Sequence, residues 1–275
     1  GSGSSSSGSS TTDTSNGTVV TSFSELTAAV TKAEKAGGGI VYVKGSSISC
    51  TAQLALKASN ANVSIIGVKN SDGTYPVLDF SAFRSAYIGK ATTDSEVGIR
   101  ISGSKYTIKN LIIQKAPDNG IQIKGSSAGN NTIENCIVRY NNDAGVQITG
   151  GAYNNAVENI YSYRNCDVYT LGSNADGFAI KLGAGPTTAT SASEFQNSKN
   201  TFVNCYSWEN SDDGWDSFDK TSQSYWTYKN EYENCICWGN GSAPLQLGYT
   251  DYVNGKTLDE NLPVIRRIKA LVSSD

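Results

Sequence analysis

Thr132-Ile133-Glu134-Asn135-Cys136-Ile137-Val138-Arg139-Tyr140-Asn141-Asn142-Asp143-Ala144-Gly145-Val146-Gln147-Ile148 is the stretch that decides the fold. Short runs alternate apolar and polar residues, and Asn or Gly separates them. That is the pattern of strands joined by turns. Its opening motif recurs as Thr107-Ile108-Lys109-Asn110-Leu111, Ala156-Val157-Glu158-Asn159-Ile160, Thr201-Phe202-Val203-Asn204-Cys205 and Glu231-Tyr232-Glu233-Asn234-Cys235. The intervals between the Asn residues from Asn110 to Asn234 are 25, 24, 45 and 30. A companion motif follows four of the five: Tyr140-Asn141-Asn142, Tyr163-Arg164-Asn165, Trp208-Glu209-Asn210 and Trp238-Gly239-Asn240. A third strand opens on Gly98, Gly120, Gly145, Gly177 and Gly214.

Self-similarity at about 25 residues marks a solenoid. Helix-length apolar periodicity is missing from 98 to 240, which disfavours helical and leucine-rich repeats. The pattern predicts an all-β fold, a parallel β-helix whose coils stack at about 4.8 Å. Equivalent Asn side chains then form ladders that satisfy their amides between coils. Cys136, Cys205 and Cys235 share one repeat position and read as buried thiols filling an interior column, with disulfides the alternative. The longer intervals place loops at 182–199 and 218–229.

Outside the repeat, Ser22-Phe23-Ser24-Glu25 is a capping box that starts a short N-terminal helix. Phe23, Leu26, Val30 and Ala33 fall at helical spacing, Gly37-Gly38-Gly39 ends the helix, and Ile40–Val43 reads as the first strand. Such a helix caps the open end of a solenoid. A second helical spacing runs through Leu258, Leu262, Ile265, Ile268 and Leu271. Residues 1–17 are almost wholly Gly, Ser and Thr and read as a flexible linker or tag, leaving 18–275 as the domain. The lack of an initiator Met suggests a processed or excised piece.

Composition narrows the chemistry. The chain has 275 residues, no His, and a formal charge of −3. Without His there is no Ser-His-Asp or Cys-His catalysis and no His-ligated zinc. The charge leaves no basic footprint for nucleic acid, and no run of apolar residues is long enough for a membrane span.

Acids precede the glycines. Asp118 and Asp143 lie two residues before Gly120 and Gly145, Asp176 directly precedes Gly177, and Asp212-Asp213 precede Gly214, with Asp216 two beyond it. On stacked coils these carboxylates fall along one edge, where they repel and raise one another's pKa values unless a cation intervenes. Asp118 and Asp143 read as turn residues. Asp176, Asp212, Asp213 and Asp216 form the dense group and suit calcium, which takes oxygen ligands, whereas softer metals want His or thiolate.

Asn174-Ala175-Asp176-Gly177-Phe178-Ala179-Ile180-Lys181-Leu182, followed by Asn210-Ser211-Asp212-Asp213-Gly214-Trp215-Asp216, resembles the signature of family 9 polysaccharide lyases. These are calcium-dependent pectate lyases on a right-handed parallel β-helix. The resemblance implies a secreted, monomeric enzyme, or one module of a larger secreted protein, that cleaves polygalacturonate by β-elimination, with Asp176, Asp212, Asp213 and Asp216 as calcium ligands. It also implies a Lys base on a later strand reading roughly Gly-Phe-Lys-hydrophobic-Gly. Leu245-Gln246-Leu247-Gly248 has that outline with Gln instead, so the expectation is a chain that stops short of its base. Lys181 is then the Lys expected to bind a uronate or to act as base. Arg139, Arg164 and Lys220 are further candidates for substrate carboxylates, and Tyr163, Trp208, Trp215 and Trp238 for sugar stacking or ladder packing. Two alternatives remain: a non-catalytic, calcium-stabilised β-helix that binds pectin, and a polygalacturonase-like hydrolase. The missing His weighs against the hydrolase.

Overall fold

The computed structural model describes residues 12–87, 90–167, 169–170, 172–181, 199–217 and 230–241. Among these, three parallel sheets of eight, seven and six strands wrap a single interior. One complete coil runs from Thr132–Glu134 in the first sheet to Ile137–Arg139 in the second and Val146–Thr149 in the third. Each strand pairs in parallel with its equivalents one coil before and one coil after, as Ile133 does with Ile108 and Val157. The chain is a right-handed parallel β-helix, as the repeat predicts.

Strict register turns sequence alternation into interior columns. Ile108, Ile133, Val157 and Phe202 stack inside the first sheet, and Ile101, Ile123, Ile148 and Ile180 inside the third. All eight side chains are at most 1% exposed. Burying each stabilises the fold by roughly 1.5–3 kcal/mol before chain entropy is counted. In the column through Leu111, Cys136, Ile160, Cys205 and Cys235, Cys136 and Cys205 are buried as expected while Cys235 is only partly so, and all six cysteines are free thiols.

Two buried Asn ladders clamp the turns. Asn141, Asn165, Asn210 and Asn240 pass an amide hydrogen bond from coil to coil at 2.9–3.0 Å. Asn131, Asn155, Asn200 and Asn230 do the same at 2.9–3.2 Å. The second ladder escaped the sequence reading. So did one register: Arg139, not Tyr140, stands beside Tyr163. Asn110, Asn135, Asn159, Asn204 and Asn234 take the left-handed turn conformation, with φ of 52–59°, which Asn tolerates better than most residues.

The helix spans Phe23–Lys35, capped by Ser22 with the full Ser22–Glu25 box, and buries Leu26, Ala29 and Val30. The first strand is not Ile40–Val43. Thr18–Val20 precedes the helix and pairs with Gly39–Val43, so the Thr-Val-Val run belongs to the sheet. The helical spacing at 258–271 and the loops at 182–198 and 218–229 lie outside the described residues. No described helix is long and apolar enough to cross a membrane.

Candidate metal centre

The turn from the second sheet to the third opens on an Asn of the buried ladder and closes on a Gly. Those glycines are dictated by packing. A Cβ at Gly177 would run into Ser207 Oγ and lie 2.8 Å from Asn210 Nδ2. The chain is therefore pinned on both sides of the acids, and the residues before each Gly fall into columns. Glu96, Asp118, Asp143 and Asp212 share the position two before Gly, where the fourth coil has Ala175. Asn119, Asp176 and Asp213 share the position one before it.

Asp176, Asp212 and Asp213 each offer a carboxylate oxygen, and these oxygens lie within 4.8 Å of one another. Asp176 is 1% exposed. Its Oδ1 accepts from the Asp213 backbone N–H at 3.1 Å, while Oδ2 is buried with no well-aligned donor. Asp212 Oδ2 accepts from the Asn174 N–H at 2.7 Å. Lys181 sits against the cluster, with Nζ 3.1 Å from Asp176 Oδ2 and 2.8 Å from Asp216 Oδ2. Asp216 thus joins the site through the lysine.

Electrostatics follow from burial. Desolvation pushes the Asp176 carboxyl up to about 7, although Lys181 pulls the other way. Asp213 is raised by desolvation and by Asp212 and Asp216. Burial lowers the Lys181 ammonium, but Asp216 and Asp176 outweigh it and leave its pKa above the usual lysine value. A buried carboxylate beside two more carboxylates fits a hard divalent cation, which would take Asp176 Oδ2 in place of the Lys181 ammonium. The donor set is all oxygen, which suits calcium and not zinc.

Beside this cluster lies a cavity of about 310 Å³ lined by Thr92, Asp118, Asp143, Gln147, Asp167 and Lys181 among others. Asp118, Asp143 and Asp167 all have raised pKa values, chiefly through burial. Asp118 does make the expected turn contacts, accepting from the Asn119 N–H at 2.7 Å, but it also walls the cavity. Asp167 was missed because the acids were counted back from each Gly; counted forward from the buried ladder, it stands two residues after Asn165, as Asp143 does after Asn141 and Asp212 after Asn210.

The other candidates are held elsewhere. Arg164 is paired with Glu209 at 2.5 Å and is not among the residues lining the cavity. Arg139 donates to Gln114 and to the Tyr163 hydroxyl, both at 3.0 Å. Tyr163, Trp208 and Trp238 stack face to face on the outside of the second sheet, with centroids 4.4 and 4.9 Å apart. Trp208 is stacked on both faces, so these rings pack as a ladder, which Trp238, 51% exposed, ends among the described residues. Trp215 stacks on Phe178 at 4.1 Å. Lys220 and the Leu245–Gly248 stretch lie outside the described residues.

A fold of this kind, with acids gathered at the edge of one sheet, defines a class, and residues 7–257 match the model of the Pel9A-like right-handed β-helix region. The chain belongs to that family. It is 33% identical over 194 residues to pectate lyase L of Paenibacillus polymyxa (strain SC2), covering 68% of this chain and 39% of that protein. Pectate lyase L of Dickeya dadantii (strain 3937) is 30% identical over 178 residues, covering 62% and 37%. The crystal structure of pectate lyase Pel9A superposes with a TM-score of 0.58 at 25% identity, covering 85% of this chain and 52% of that one. A rhamnogalacturonan lyase shares the fold, with a TM-score of 0.55 at 20% identity over 75% and 51%. The chain therefore spans well under two thirds of the curated relatives.

Proposed function

We propose that this β-helix carries the calcium site of a secreted pectate lyase that cleaves polygalacturonate by β-elimination. The observation that carries the reading is the buried Asp176 carboxylate grouped with Asp212 and Asp213 at one edge of the third sheet. With Asp216, these residues would hold the cation. When bound, calcium supplies Lewis-acid stabilisation of the charge that develops on a uronate carboxylate.

In β-elimination a base removes the proton on C5, which is α to that carboxylate, and the O4 linkage departs. Lys181, doubly ion-paired and with a raised pKa, is charged at working pH. It suits carboxylate binding and the orientation of Asp176 and Asp216 better than proton abstraction. The base, by the family resemblance a neutral Lys on a later strand, would come from outside the described residues. Such a base works only when partly deprotonated, which favours alkaline pH.

A second reading is a calcium-stabilised β-helix that binds pectin without cleaving it. The paired state of Lys181 favours it. Incubation with polygalacturonate at alkaline pH, with calcium or with chelator, separates the two. Calcium-dependent growth of the ultraviolet absorbance of the unsaturated product supports the lyase. New reducing ends without that absorbance indicate hydrolysis and overturn it. Calcium-dependent binding without turnover supports the second reading.

A further inference from the structure

One carboxylate of the chain already occupies a place built for a carboxylate. The segment 90–97 lies against the outer face of the third sheet and sets Asp94 on it. Asp94 Oδ2 meets Lys124 Nζ at 2.5 Å and Arg100 Nη1 at 3.1 Å. Its Oδ1 accepts from Gln122 Nε2 at 3.0 Å. The Asp94 carbonyl accepts from Arg100 Nη1 at 3.0 Å and from Gln53 Nε2 at 2.8 Å. Burial works against the charge on Asp94, yet Lys124, Gln122 and Arg100 outweigh it and hold the carboxyl at about 2.

The three donors come from sheet strands, so their backbones are fixed by the ladder. Arg100 and Gln122 are register partners, and Lys124 projects from the same face two residues on. This is the face that carries the candidate metal centre. Arg100, Gln122, Gln147, Ala179 and Asp216 form one outward column, and Lys124, Thr149 and Lys181 form the next. Three inter-strand steps, about 14 Å, lead from Arg100 to Ala179, beside Asp216. A hydrogen bond of 2.8 Å between Gln122 and Gln147 continues the line. Ala91 and Thr92, from the same segment as Asp94, wall the cavity that Lys181 also lines. Asp118, Asp143 and Asp167 line the same cavity, and carboxyl groups accept hydrogen bonds from sugar hydroxyls.

We propose that Arg100, Gln122 and Lys124 form a uronate-carboxylate subsite along the third sheet, and that Asp94 fills it in the free protein as an internal stand-in for substrate. The proposal rests on the polyuronate reading above. An incoming uronate replaces one carboxylate by another with no change in the charge of the subsite. Asp94, Lys124 and Arg100 are 39%, 37% and 22% exposed at the side chain, so a ligand can reach the two cations; Gln122, 2% exposed, lies beneath Asp94 and becomes accessible only when Asp94 moves aside.

The test is calorimetric titration without calcium, using trigalacturonate and its neutral counterpart galactotriose. Asp94→Ala is expected to bind trigalacturonate at least about tenfold tighter than the parent, a difference of about 1.4 kcal/mol. Galactotriose binding should not change, and adding Lys124→Ala to Asp94→Ala should remove the gain. An unchanged affinity in a folded Asp94→Ala, an equal gain for both sugars, or no trigalacturonate binding by any variant overturns the proposal. Asp94→Asn keeps the side chain's size and serves where Asp94→Ala does not fold. Loss of folding in both makes Asp94 a structural clamp and also overturns it. Because the readout is binding without turnover, a negative lyase assay leaves this test intact.

Discussion

Asp176 ionises near 7 because its carboxylate is buried and Lys181 only partly compensates. An unfolded Asp ionises near 3.9. Below about pH 4 the group is protonated in both states. Between about 4 and 7 the unfolded chain releases the proton that the native chain keeps, so stability falls as pH rises. Above 7 the loss is complete. The limiting slope is about 1.4 kcal/mol per pH unit. Urea unfolding of the cation-free protein at pH 5 and pH 7 should show the parent losing more stability over that interval than Asp176→Asn. Equal losses would mean that Asp176 is not the titrating group.

At the scale of the elements, the third sheet is held at the right height by its glycines. Gly177→Ala forces a methyl group against Ser207 and Asn210, at the rung where two coils share an amide hydrogen bond. Overpacking of this kind costs about 1–3 kcal/mol. The expected outcome is a lower midpoint in thermal unfolding together with weaker calcium binding, since Asp176 is the adjacent residue. A loss of stability that left cation affinity untouched would show that the turn and the metal centre are independent.

The elements also show what the sequence could reveal. Columns with a chemical signature were legible: Gly before each third strand, Cys in the turn column, and the acids before Gly177 and Gly214. Asn131, Asn155, Asn200 and Asn230 were missed because each sits just before its strand motif, not within it. Asp94 lies on a segment outside the repeat, and only tertiary packing brings it to the third sheet. Asp167 does share a column with Asp143 and Asp212, two residues after the ladder Asn, but the longer stretch from it to Gly177 hides that when positions are counted back from Gly. Thr18–Val20 was missed because three residues are too few for periodicity to register, whereas the capping box four residues later was plain.

Across the whole molecule, a solenoid's coils contact only their neighbours, so stability adds up coil by coil. The candidate cation would join two of them, because Asp176 stands on one coil and Asp212, Asp213 and Asp216 on the next. A ligand that binds only the folded state stabilises it by about 2.7 kcal/mol at a hundredfold excess over its Kd. Thermal unfolding should therefore shift upward with calcium and return with chelator. The most direct measurement is calorimetric titration of calcium into the parent and into Asp213→Ala, whose exposed position leaves the core intact. Saturable binding by the parent, weakened at least about tenfold in the variant, is the predicted result. A parent that binds no calcium, or a variant that binds it equally well, would contradict a metal centre at this edge of the β-helix.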